Sequence, residues 1–164
     1  MLVNRGKKMN KRRLEDKTKS YFCDRPSNFP TGRPFNCCET VLMALSDQLN
    51  IESDLIPRIG TGIGAGVSLN GLLCGCISGP AIIIGVKKGR DKPEESPMIA
   101  WSLVDKYLDA FKERFHYTTR RELTGVDIKT PDGLKKYFES IHDYACAERV
   151  KFAVNKTLEI LEEK

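Results

Sequence analysis

The sequence lacks the spacings that mark the commonest thiol and nucleotide sites. It holds no Cys-x-x-Cys pair, which counts against a zinc ribbon or a thioredoxin-type dithiol. It holds no Cys-x-x-Cys-His, which excludes covalent c-type haem. Its two histidines, His116 and His142, match no metal spacing. The glycine-rich stretch 60–71 lacks the Gly-Lys-Ser/Thr ending of a phosphate loop and has no convincing strand before it. Close packing of backbone against backbone, or against a cofactor, explains those glycines better. No apolar run approaches the ~18–20 residues of a membrane span. No hydrophobic segment follows the basic N-terminus, so Arg12 and Arg13 are not an export address and a cytoplasmic location is expected. With no finger spacing and no aromatic-rich basic strand, nucleic acid is not an expected partner, and neither is a membrane.

What is present fits one globular domain: 164 residues, 40% hydrophobic and 30% charged. The net charge of +5 is uneven, because residues 1–20 carry +6 and the rest about −1. Residues 1–20 read as a basic flexible tail, with an acidic partner as the alternative use of such an arm, and residues 21–164 as a single helical domain. Six cysteines in a reducing compartment point to metal binding or redox chemistry rather than to structural disulfides.

The pattern along the chain is helical. Asn36 is an N-cap with Glu39 in the capping-box position, and Val41, Leu42, Leu45 and Leu49 follow at helical spacing until Asn50. The apolar segment 72–86 is either one buried helix kinked at Pro80 or a turn over 74–78 followed by a helix. Trp101, Val104, Leu108, Phe111 and Phe115 predict a helix over 98–115, residues 131–137 a short one, and Cys146, Val150, Ala153, Val154 and Leu161 a last one over about 143–162. Sustained two-residue alternation is scarce. The expected fold is all-α, a compact bundle of about four to six helices.

Cys37 and Cys38 fall in the first turn of the helix after Asn36, where free amide groups and the helix dipole stabilise a thiolate. Neighbours on a helix point about 100° apart, so one of the two faces a shared site, and Cys38 lines up with the core residues Val41, Leu42 and Leu45. Cys74 and Cys76 can serve one centre only if Gly75 allows a turn. Cys146 lies on the apolar stripe of the last helix, and Cys23 reads as incidental. Dispersed cysteines from three helical regions suit an iron–sulfur cluster or a bridged thiol pair.

The run Phe35-Asn36-Cys37-Cys38-Glu39-Thr40-Val41-Leu42, the box Cys74-Gly75-Cys76-Ile77-Ser78-Gly79, and Cys146 four residues before Val150 resemble the redox-active family written C_GCAxxG_C_C. The same arrangement occurs in the cysteine domain of split-Soret cytochromes. The likeness implies redox function through an iron–sulfur cluster of undetermined type. The family's cysteines fall on Cys37, Cys74 and Cys146, and the remaining one should precede Arg121-Glu122-Leu123-Thr124-Gly125, where this chain has Arg120. Conversely, Cys76 replaces the alanine of the family box. Cys37, Cys74, Cys76 and Cys146 are therefore the expected ligands, with Cys76 supplying the one missing at Arg120. Should only three serve, a homodimer could share the centre. A metal-free thiol–disulfide enzyme or sensor, with Cys37 attacking and Cys74 or Cys76 resolving, is the alternative. A helical interaction module with inert cysteines is a further one. The resemblance names no redox partner protein.

Overall fold

The computed structural model describes residues 8–163, and the elements follow from the local signals. In helix α2, Cys37–Leu49, the Asn36 side chain accepts from the amides of Cys38 and Glu39 at 2.9 and 3.0 Å. Glu39 in return accepts from the Asn36 amide at 2.8 Å, completing a capping box. Asn50, left-handed at φ 52°, ends the helix.

Its main partner is α4, Gly75–Lys88, which starts on Cys74. The two alternatives for this segment merge: Cys74 stays extended, the helix begins at Gly75, and Pro80 sits inside it. Proline has no amide to give the Cys76 carbonyl one turn back. The hydroxyl of Tyr107 donates to that carbonyl instead, at 2.5 Å. Glycine is required where α4 meets α2. A Cβ on Gly75 would lie 2.7 Å from the Cys38 nitrogen and 3.0 Å from the Cys37 Cβ.

Tyr107 belongs to α5, Met98–Phe115, which packs on α4 and on α8, Ala147–Glu162. Helix α8 also crosses α2. Between these long helices lie α3 (Gly64–Val67), α6 (Arg120–Thr124), α7 (Pro131–Ser140), a 3₁₀ turn over Arg58–Gly60 and a π turn over His142–Cys146. The fold is all-α, as expected. Its eight α-helices among the described residues exceed the expected four to six, because the short connecting helices carry too little periodicity to read. One antiparallel bridge joins Leu73 to Thr119, and bonds from Cys74 N to Thr118 O (3.0 Å) and from Arg120 N to Leu72 O (2.7 Å) flank it.

Residues 11–20 of the stretch read as a tail are helical. Residues 1–7 lie outside the described residues, but α1, Lys11–Cys23, is capped by Asn10 and buries Leu14, Thr18 and Phe22. It packs on α2 and α8 and pairs Lys17 with Asp47 and Glu15 with Lys151. Its apolar stripe is only two large residues wide, and the surrounding cations masked it.

The stretch before α4 takes an uncommon path. Ala65, Gly66, Val67, Ser68 and Leu69 are consecutively left-handed, with φ between 52° and 71°. Each residue with a side chain costs about 1 kcal/mol or more in that region. Backbone packing holds the segment. A Cβ on Gly66 would meet the Arg120 Cβ and the Leu72 nitrogen at 2.9 Å, and one on Gly64 would strike the Asn36 side chain at 2.0 Å.

Candidate functional site

The starts of α2 and α4 and the π turn before α8 bring four cysteines together. Cys37 occupies the first position of α2, Cys74 the N-cap and Cys76 the second position of α4, and Cys146 the end of the π turn. All four are buried and reduced, with no disulfide among them. The thiols meet in a row. Cys37 lies near enough to Cys146 and to Cys76 for their thiols to act on its own, and Cys76 is likewise near Cys74.

This arrangement separates the two neighbouring thiols of α2. Hydrogen bonds from Cys146 and then Cys76, aided by the charge of Arg120, hold the Cys37 thiol well below its ordinary range against the cost of burial. Those same bonds push Cys76 and Cys146 up, in Cys76 behind the larger effect of burial. Cys38 points into the core toward Ser78, and burial raises its thiol to about 11. Cys37 is thus the member that faces the other thiols. Cys23, half-buried at the end of α1, is not in the row.

Two arginines flank the thiols. Arg149 Nη1 donates to Cys146 Sγ at 3.6 Å and Nη2 to the Leu123 carbonyl at 2.7 Å. It stands three residues after Cys146, on the same helix face, a spacing that was available in the sequence. Arg120 is only 4% exposed, stacks over the Tyr137 ring at 4.4 Å, and reaches the site because the Leu73–Thr119 bridge ties its backbone beside Cys74. Nothing local in the sequence announces that placement. His142, also buried, stacks on Phe22 at 4.2 Å and bonds Asp143 through Nδ1 at 2.6 Å. Tyr107, held at the Cys76 carbonyl, closes the core side of the cluster.

In chemistry, four thiols from three segments are a soft donor set. In arrangement they form pairwise contacts rather than a cage. Among the described residues no group of three or more His, Cys, Asp or Glu side chains is disposed to hold a metal ion. No described helix is long and apolar enough to cross a membrane.

A family model described as "Putative redox-active protein (C_GCAxxG_C_C)" matches residues 35–160. The match spans α2 to α8 and so contains every cysteine of the row. No curated protein and no solved structure matches the chain.

Proposed function

The chain belongs to the C_GCAxxG_C_C redox-active family, and from that membership we propose that its redox chemistry runs through the buried thiols, with Cys37 as the attacking sulfur. The observation that carries this reading is the placement of Cys37, at a helix N-terminus, among the buried thiols at the start of α4 and the end of the π turn. A thiol that attacks a disulfide needs a second thiol within reach to release it. Cys146 and Cys76 both meet that need. Cys74 adjoins Cys76.

The step balances with a small disulfide, R–S–S–R, as oxidant. The Cys37 thiolate attacks one sulfur and forms a mixed disulfide, and the departing RS⁻ takes a proton. The thiolate of Cys146 or Cys76, its proton passed to solvent, then attacks the Cys37 sulfur and expels the second RS⁻. Two electrons reduce one disulfide to two thiols while one protein disulfide forms. The test is to expose reduced protein to 2-hydroxyethyl disulfide and map linkages by mass spectrometry. A Cys37–Cys146 or Cys37–Cys76 link is expected. Modification confined to Cys23 would end the proposal.

A second reading keeps the iron–sulfur cluster, with Cys37, Cys74, Cys76 and Cys146 as ligands. Its support is the soft donor set, flanked by two guanidinium groups that offset the negative charge of thiolates. The residues do not fit a cluster as they stand, since among the described residues no three such side chains are disposed to hold a metal ion. Near-stoichiometric iron and sulfide in protein purified anaerobically would replace the thiol reading with this one. Colourless protein that cannot be reconstituted removes the cluster.

A further inference from the structure

A cavity of about 400 Å³ lies against Cys37. It falls within the size range of small-molecule sites and shares their character, with mostly apolar walls and a few polar groups. Phe22, Phe35, Phe138 and Ile128 supply apolar surface, and the left-handed stretch covers it through Ala65 and Leu69.

The charged lining is unequal. Arg120 and Arg33 carry positive charge into the wall, against the single carboxylate of Glu39. Glu39 is already engaged, one oxygen accepting from the Asn36 amide at 2.8 Å and the other from the Thr61 hydroxyl at 2.5 Å. Arg120 is not. Its Nη1 is buried and has no hydrogen-bond partner among the described residues. A buried donor left unbonded is costly, and a charged one more so. An anion in the cavity would satisfy it.

We propose that this cavity binds a small aromatic carboxylate, the carboxylate accepting from Arg120 and the ring lying among Phe35 and Phe138 beside Cys37. The walls argue for an aromatic body, and the unpaired guanidinium N–H, which a turn of the Arg120 side chain brings to the cavity, argues for a planar anion. This deepens the thiol reading by giving its site a ligand class. It rests on that reading for the ligand's role as substrate, not for its binding. The competing explanation is that Arg120 serves only as counter-charge to the Cys37 thiolate, in which case the cavity has no preference for an anion.

The test compares 2-naphthoate with its uncharged counterpart 2-naphthamide, by calorimetric titration of the reduced full-length protein. Naphthoate should bind at least ~10-fold more tightly, the range of one charge-assisted hydrogen bond. It should also slow iodoacetamide alkylation of Cys37 while leaving the half-buried Cys23 unchanged. Arg120→Met should erase the acid–amide difference and Arg120→Lys should keep part of it. If Arg120→Met fails to fold, the acid–amide comparison on the native protein decides alone. Equal binding of acid and amide, no binding of either, or a Cys37 alkylation rate that naphthoate does not change would overturn the proposal. Neither readout requires a disulfide to form. Naphthoate binding without exchange by 2-hydroxyethyl disulfide would sink the thiol reading alone, and exchange without naphthoate binding would sink this one alone.

Discussion

Replacing Tyr107 with Phe removes a single oxygen from the centre of the molecule. The ring is wholly buried, and its hydroxyl donates at 2.5 Å to the carbonyl of Cys76. That carbonyl has no amide one turn ahead, because residue 80 is proline. The substitution therefore strands a buried acceptor, a loss of about 1–3 kcal/mol. Phe fills the same space, so no cavity adds to the loss. For a chain of this length that is a fall in Tm of roughly 3–10 °C. Urea unfolding followed by far-ultraviolet circular dichroism measures it, with an unchanged slope showing that only stability has moved. Tyr117→Phe is the control, since that side chain is half exposed, and it should change stability by less than about 0.5 kcal/mol. Pro80→Ala restores an amide opposite the carbonyl, so the double variant should lose less than the two single losses combined. A Tyr107→Phe loss as small as that of Tyr117→Phe would refute the reasoning.

Gly75→Ala should loosen the contact between α2 and α4, costing about 1–3 kcal/mol and lowering the yield of the Cys37–Cys76 link, because the new methyl meets the Cys38 backbone at 2.7 Å. Leu14→Ala, inside the stretch 1–20, should cost about 2–5 kcal/mol by denaturant unfolding, whereas a flexible arm would lose nothing. Alkylation rates resolved by peptide should give Cys37 a midpoint below the ordinary ~8.5 of a thiol, with Cys38 unreactive until about 11. The sign for stability follows. The Cys37 thiolate contributes fully above the unfolded thiol range and loses its contribution as pH falls through the folded value. Wild-type stability measured relative to Cys37→Ser should therefore shrink on acidification; a gap that widens would contradict the depressed thiol.

The parts of the site that local chemistry controls were legible. The capping box at Asn36 and Glu39, and the 100° step that sends Cys37 and Cys38 apart, both follow from residues within one turn. Gly75 does permit Cys74 and Cys76 to meet, by letting the helix start between them. What long-range contacts decide was not legible. Arg120 reads as a lost ligand in the sequence, and only the bridge at Leu73 shows that it returns to the site as a buried cation. Likewise the π turn rests on a bond from the Cys146 amide to the Ile141 carbonyl at 3.1 Å. A smooth helical stripe running back to residue 143 gives no sign of that extra residue.

The row of thiols joins residues far apart in the order of synthesis, for Cys37 and Cys146 are separated by 109 positions. At ribosomal rates of about 5–20 residues per second, roughly 5–20 s pass between the making of one and of the other. Throughout that interval Cys37 has no Cys146 to bond it and no Arg120 beside it for most of the time. The depressed thiol is thus a property that the later chain confers on a residue made near its beginning, and a chain that stops before Cys146 lacks the largest of its causes.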